Sequence, residues 1–188
     1  MSVVVITPPA AEPVDLDRMK AHCRVEGTDE DDLIPVYIAA ARAAVEAYTR
    51  RRLVTQQLKL LCPGFGGCIE LPCAPVQTVD RITYLDADGD EQELDEALWR
   101  LVRSGGPVRI VPADGATWPI TSGGVDAVGV EFTAGYGNAS AVPADLVIAV
   151  LLIAGQFYEN REDAVAGLSV IPLPMGARDL MKPHIFWV

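Results

Sequence analysis

The spacing of apolar residues predicts two helices near the start of the chain. The first covers Asp15 to Cys23. The second runs to about Thr49, and its start is predicted to be capped by Thr28 or by one of the acids at 29 to 32. An apolar stripe from Leu33 to Tyr48 indicates that one face of this second helix is buried.

Between Val54 and Ala134 the period of the apolar pattern changes to two, which is typical of strands. The Asp-Gly pair within Asp86 to Asp90 supplies the positive backbone angle that a hairpin turn needs. The pattern thus predicts an α+β fold, in which a small antiparallel β module is inserted between helical parts. The predicted strands are Gln56–Leu61, Ile69–Leu71, Val79–Leu85, Glu91–Leu94, Trp99–Val102, Val108–Val111 and Val128–Thr133.

A third helix, nearly all apolar, is predicted to begin at Pro143 and to end within Phe157 to Glu162. Its apolar side chains cover every azimuth, so it is either enclosed by its own fold or covered by a neighbour. Because enclosure on all sides is hard to arrange in a small chain, we infer a subunit contact, with helices packed for ring assembly. The predicted interface residues are Ala40 and Ala44 on the second helix and Val147, Val150 and Leu151 on the third.

The C-terminal residues are unusually apolar for the end of a chain. A Gly- and Pro-rich loop or arm is predicted from Ala164 to Gly176, with one or two helical turns at 177 to 182. The last residues either fold back on their own domain or anchor in another protein, where large aromatic side chains often dominate binding. They are Ile185, Phe186, Trp187 and Val188. The predicted organisation is one domain over 1–163, with helical parts 15–52 and 143–160 and a β module over 54–134, and an extended arm over 164–188.

The composition is that of an acidic globular protein. The chain has 188 residues, half of them apolar, and a net charge of −11. This charge argues against gripping DNA or an anionic membrane electrostatically. The densest apolar run, Leu146 to Ala154, is shorter than the roughly 18 residues of a membrane span. The apolar N-terminus lacks the basic start of a signal peptide, so a cytoplasmic protein is expected.

The sequence contains no recognised catalytic or metal-binding motif. Asp86, Asp88 and Asp90 superficially resemble a calcium loop, but the twelfth position is Ala97 and the flanks are strands. The cysteine spacing does not fit a zinc site, so buried or half-buried thiols are predicted. We therefore expect no metal, no cofactor and no catalytic residues. The cysteines are Cys23, Cys62, Cys68 and Cys73.

The order of several short segments resembles the head–tail connector (adaptor) proteins of long-tailed bacteriophages and gene transfer agents. The similarity runs from about residue 14 to 163. The matching segments are Leu16 to Val25, Asp29 to Ile34, Ala39 to Thr49, Leu71-Pro72, Pro75 to Val79, Ile82 to Gly89, Phe132 to Gly137 and Tyr158 to Glu162.

This resemblance implies a structural protein without catalysis. Such adaptors form a ring, commonly of twelve subunits, beneath the portal protein of the filled capsid. The ring offers a docking surface to stopper and tail proteins and lets DNA pass through its centre without specific binding. The expected location is the neck of a virion or virus-like particle, assembled in the bacterial cytoplasm.

The C-terminal residues lie outside the matched pattern. The hypothesis for them is a portal-binding arm formed by residues 185–188. Two alternatives to the adaptor role remain open. One is a stopper or tail-completion protein of the same neck region. The other is an enzyme with an unrecognised site, for which the stretch from Cys62 to Cys73 is the candidate.

Overall fold

A computed structural model of the protein describes residues 1–161 and 175–187. The chain forms two compact units, and each is described by itself. The β unit contains Met1–Pro9, Thr55–Gly135 and Trp187, and the helical unit contains Ala10–Val54 and Tyr136–Phe186. The predicted α+β class is confirmed. Thr55 and Gly135 lie within one residue of the predicted limits of the β module.

The β unit contains two antiparallel sheets. The larger sheet has the strand order β1-β2-β8-β4-β5, and the smaller has the order β3-β7-β6. The strands of the described residues are β1 (Ser2–Thr7), β2 (Gln56–Cys62), β3 (Ile69–Glu70), β4 (Val76–Leu85), β5 (Glu91–Glu93), β6 (Trp99–Val102), β7 (Arg109–Pro112) and β8 (Val128–Ala134).

The core of the β unit follows from alternation along its two central strands. On β2 the buried residues include Leu58 and Leu60, which face Phe132 and Val130 across the antiparallel pairing with β8. Because alternate residues of a strand point to the same face, one face of the large sheet is apolar. Residues from the smaller sheet, including Ile110, belong to the same buried cluster. This packing positions the hairpin between β4 and β5, which has its turn at Asp86–Asp90 as predicted.

One strand was not predicted. β1 is a continuous apolar run, Val3 to Ile6, without the alternation that indicates a half-buried strand. It pairs antiparallel with β2, for example Val4 with Lys59. The other seven strands were predicted, with ends that differ by up to three residues.

The helical unit contains the four α-helices of the described residues, α1 (Leu16–Cys23), α2 (Ile34–Thr49), α3 (Ala144–Glu159) and α4 (Met175–Met181). Asp15 caps α1 by accepting a hydrogen bond from the Arg18 backbone N–H at 2.7 Å. Short 3₁₀ turns lie at Glu96–Leu98 in the β unit and at Ala139–Ala141 and Lys182–His184 in the helical unit.

The predicted start of the second helix is wrong. The helix begins at Ile34, its N-cap is Leu33, and no side chain caps it. The residues before it form turns closed by backbone hydrogen bonds, such as Leu33 N–H to Glu30 O at 3.0 Å. Pro35 falls in the first turn, where its fixed φ suits a helix and its missing N–H has no helical partner to lose.

The inference that α3 needs a neighbouring subunit to cover it is also wrong. Within the chain α3 packs against α1, α2 and α4. Its buried side chains form one cluster with those of the other helices, and only Ile148, 44% exposed, leaves large apolar surface open on this helix. Three helices of the same chain therefore cover this nearly all-apolar helix.

Gly155 marks a close approach of α1 and α3. A Cβ atom built on it meets the His22 ring at 3.5 Å and the Cys23 sulfur at 3.9 Å, which are ordinary van der Waals distances. We predict that Gly155→Ala stabilises the protein by about 0.5–1 kcal/mol, because glycine is a poor residue inside a helix. Urea unfolding measures this. Gly155→Val, whose extra methyl groups have no room beside His22, is expected to destabilise.

Candidate assembly surfaces

The structure separates the five predicted interface residues into two groups. Ala40 is exposed and Ala44 is half-buried on α2. Val150 is fully buried, and Val147 and Leu151 are 4% and 6% exposed. The three residues of α3 therefore belong to the core of the helical unit. They cannot contact a neighbouring copy unless the helical unit rearranges. Contact through Ala40 and Ala44 stays a prediction.

A buried carboxylate holds the C-terminal end of α2. Glu46 is 3% exposed, and its Oε1 accepts a hydrogen bond from the Leu53 backbone N–H at 2.9 Å. Its Oε2 lies 3.2 Å from a nitrogen of Arg42 and 3.2 Å from a nitrogen of Arg52. Arg42 also pairs with Glu12 at 2.7 Å. This network fixes the turn by which the chain leaves α2.

The arginines at 50 to 52 have three different roles at this helix end. Arg50 adopts the left-handed conformation (φ 55°) that ends α2. Arg52 pairs with Glu46, while Arg51 donates from Nε to the His184 carbonyl oxygen at 2.5 Å. The Arg51 guanidinium also lies 5.9 Å from the centre of the Tyr136 ring. The run therefore ties the end of α2 to the C-terminal segment.

The C-terminal segment is fastened to the helical unit up to Phe186. The Phe186 backbone N–H donates to the Thr49 carbonyl oxygen at 2.9 Å. The His184 ring nitrogen Nε2 pairs with the Asp145 carboxylate in the first turn of α3. Ile185 and Phe186 are half-buried. Within the chain these two residues fold back on the helical unit, and their contact with a portal stays a prediction.

Trp187 differs from the residues before it. Its side chain is 79% exposed, although it follows directly on the fastened Phe186. Val188, the last residue of the hypothetical arm, lies outside the described residues. The segment therefore presents one large aromatic side chain from a backbone that is held in place.

The contact between His184 and Asp145 is sensitive to acid. Burial raises the pKa of Asp145, but the hydrogen bond and charge of His184 outweigh it and hold that pKa below its ordinary value. The ionised carboxylate therefore stabilises the fold above its ordinary pKa, and this contribution is lost as the pH falls through the lowered value.

We predict that His184→Ala raises the pKa of Asp145, because it removes the partner that favours the charged form. Carboxyl titration by NMR checks this. Lys182→Ala is the matched control, since Lys182 pairs with Asp179 instead. An unchanged Asp145 titration in the His184 variant would contradict the contact.

The end of α3 is fastened to the turns before α2. The Tyr158 hydroxyl donates to Glu30 Oε2 at 2.6 Å, and Arg161 pairs with the same carboxylate. The Arg161 guanidinium lies 5.4 Å from the centre of the Tyr158 ring. The Tyr158 hydrogen bond, followed by that from Arg161, lowers the pKa of Glu30. The segment Tyr158 to Glu162 thus includes two residues whose contacts are structural.

Comparisons with known proteins agree on one family. Residues 13–84 match the family described as phage gp6-like head-tail connector protein. A chain from the "Neck of empty GTA particle computed with C6 symmetry" is 33% identical, with a TM-score of 0.82, and the match covers 100% of this chain and 97% of that chain. The chain belongs to the gp6-like head–tail connector family.

Two further solved structures resemble this connector. One, "Virion of native gene transfer agent (GTA) particle", contains a chain that is 32% identical, with a TM-score of 0.81 and coverage of 100% and 97%. The other, "Neck of native GTA particle computed with C12 symmetry", contains one that is 33% identical, with a TM-score of 0.74 and the same coverage. No curated protein sequence matches.

Family membership confirms the interpretation of this connector as a structural protein and not an enzyme. Three of its four cysteines are buried or half-buried as predicted, whereas Cys68 is exposed. Burial raises the pKa of both Cys23 and Cys62, which makes these two thiols poor nucleophiles.

The acids of the β4–β5 hairpin serve its own turn. The Asp86 carboxylate accepts backbone hydrogen bonds from Asp88 and Asp90 at 3.0 Å each, and one from the Gln92 side chain at 2.9 Å. The Gln92 bond and the backbone donors lower the pKa of Asp86. In the described part of the chain, no cluster of three metal-ligating side chains is present.

Two features of this connector escaped the sequence analysis. The Glu46 network had a sequence signal, because Arg42 and Glu46 are oppositely charged and stand four positions apart on the second helix. The contact between His184 and Asp145 had no signal in the sequence, because the two residues lie 39 positions apart. Within the described residues, no helix is both long and apolar enough to cross a membrane.

Proposed function

We propose that this connector forms a ring beneath the portal of a phage or gene transfer agent particle, where it joins the filled head to the stopper and tail. The observation that carries the proposal is the full-length likeness to chains of gene transfer agent particles, at 33% identity with 97% of the relative covered. A likeness over the whole chain includes both units and not only the segment matched by the family.

The symmetry of the relatives supports a closed ring. Their structures were computed with C6 and C12 symmetry. A cyclic ring uses heterologous contacts, in which one surface of a subunit meets a different surface of the next. Twelve copies agree with the C12 structure, and the exposed Ala40 with the half-buried Ala44 supply one candidate lateral surface on α2.

The charge of the connector supports a channel through which DNA slides. The net charge is −11, and the acids of the hairpin and the following turn include Asp88, Glu91, Glu93 and Glu96, all exposed. Negative surface repels phosphate instead of binding it. The DNA therefore passes the ring without specific binding, and no membrane is involved.

The C-terminal residues Ile185, Phe186, Trp187 and Val188 form the portal-binding arm in this proposal. The support is the 79% exposure of Trp187 at the end of a segment that hydrogen bonds fasten. An aromatic side chain presented this way suits a hydrophobic groove on a partner, where such residues contribute much of the binding energy. The assembled particle neck is the working location, and assembly takes place in the bacterial cytoplasm.

An order-of-addition experiment tests the proposal. Purified connector is mixed with portal rings alone, with stopper protein alone, and with portal followed by stopper, and the complexes are separated by size-exclusion chromatography. An adaptor binds the bare portal, and the stopper joins only afterwards. Failure to bind the portal, with binding only to a portal that already carries another neck protein, would assign the stopper position instead.

A further inference from the structure

The two edges of the large sheet differ in how they are protected. One edge is β5, which has only three residues, Glu91 to Glu93. Arg81 pairs with Glu93 at 2.8 Å on this side. Arg103 donates to the carbonyl oxygens of Val76 and Gln77, at 2.8 Å each, in the part of β4 beyond the reach of β5. Short length and charge are devices that prevent an edge from pairing with another chain.

The other edge, β1, has little such protection. It is six residues long, carries no charge, and contains no proline. Val4, Val5 and Ile6 are 50%, 46% and 47% exposed. Apart from an irregular register near Ile6, its pairing with β2 is regular, so alternate backbone N–H and C=O groups point away from the sheet. Among the described residues no strand pairs with that side.

Charge indicates what covers this edge. Copies of a chain with a net charge of −11 repel one another, so contact between them needs uncharged surface. Within the described residues of the β unit, two uncharged segments of nine or more residues expose large apolar side chains. One is residues 1–9, which include β1, and the other is residues 115–125, where Ile120 is 81% and Val125 is 84% exposed.

Ring symmetry restricts how two copies meet. Rotation about the ring axis keeps height and radius, so each surface of one copy meets a surface of the next copy that lies at its own level. Pairing of β1 with β1 would create a twofold axis, and such a contact cannot continue around a ring. The edge must therefore meet a different segment of the neighbouring copy.

We propose that β1 of one copy pairs with the uncharged segment of residues 115–125 of the next copy, and so extends the sheet across the subunit boundary. This inference rests on the ring of the proposed function. Backbone hydrogen bonds supply the attraction, and the exposed Ile120 and Val125 supply apolar contact for Val4 and Ile6.

The test adds charge to the edge while keeping the fold. Val4 lies opposite Lys59, so glutamate at this position gains a cross-strand partner within its own chain. We expect Val4→Glu with Ile6→Glu to reduce ring formation on portal rings by about tenfold or more, because carboxylates buried against apolar side chains lose their hydration. Ala87→Glu with Ala97→Glu is the matched control, since it adds the same charge at exposed positions near β5, the protected edge of the sheet.

A cross-linking experiment decides the matter if the double glutamate variant fails to fold. Val4→Cys with Val125→Cys is made in a Cys68→Ser background, which removes the exposed native thiol. On portal rings, oxidation is expected to give a ladder of covalent oligomers, and neither single-cysteine variant should give more than dimers.

The outcomes separate this inference from the proposed function. If the wild-type chain forms no ring on the portal, the proposed function fails. If the wild type forms rings and the glutamate variant forms them equally well, the ring stands and the edge contact is overturned. The edge contact is also overturned if the glutamate variant aggregates less but forms rings as before. It is overturned as well if the cysteine pair gives no ladder on rings.

Discussion

Glu46→Ala is expected to lower the free energy of unfolding by about 3 kcal/mol. The substitution leaves Arg42 and Arg52 without the carboxylate they share and leaves the buried Leu53 N–H without its acceptor. Removing one partner of a buried ion pair costs about 3–5 kcal/mol, and the lower end applies here because the two arginine side chains are 15% and 21% exposed.

Urea unfolding followed by circular dichroism measures this effect, with two matched variants. Glu46→Gln keeps an oxygen that can accept from Leu53 but removes the charge, so a smaller loss of about 1–2 kcal/mol is expected. Glu93→Ala breaks an ion pair between exposed side chains, since Glu93 is 62% and Arg81 is 47% exposed. Its expected cost is less than about 1 kcal/mol. Equal losses for Glu46→Ala and Glu93→Ala would show that the buried network does not stabilise the helical unit.

The second large effect concerns assembly. Phe186→Ala with Trp187→Ala is expected to abolish binding to the portal while the fold stays intact. Truncation of an aromatic anchor at the centre of an interface typically costs about 2 kcal/mol or more, so losing two weakens binding by about a thousandfold. Binding to immobilised portal rings measures the loss, and circular dichroism checks the fold.

Single variants separate the two residues. Phe186 is half-buried against its own unit, so its loss affects stability as well as binding, whereas Trp187 is 79% exposed and its loss affects binding alone. Met175→Ala removes another exposed apolar side chain, 74% exposed, and serves as the control that leaves binding unchanged. Normal portal binding by the double variant would rule out the arm.

Much of the fold was predictable because local pattern and tertiary packing agree. Strands such as β2 and β8 bury a residue at every second position and were predicted to within one residue of their ends. β1 was missed because it lies at an edge, where only Val3 is partly buried and no alternation is required. The start of α2 was placed too early because acids that resemble a cap form turns instead.

The assembly surfaces were less predictable, for a physical reason. An apolar side chain lowers its free energy equally well in its own core or in a partner, and sequence does not distinguish the two. Val150 was assigned to an interface and lies in the core, whereas Ala40 lies on the surface. In the C-terminal segment, Phe186 is held by the hydrogen bond from its backbone N–H to Thr49, whereas Trp187 is exposed. Thr49 is distant in sequence, so no local pattern indicated this difference.

The most direct test of the connector role is electron cryo-microscopy of the purified chain mixed with its portal ring. The account predicts a second ring of twelve copies stacked beneath the portal, with Trp187 seated against a portal subunit. A portal that remains bare, or a stacked ring in which Trp187 stays in solvent, would contradict it.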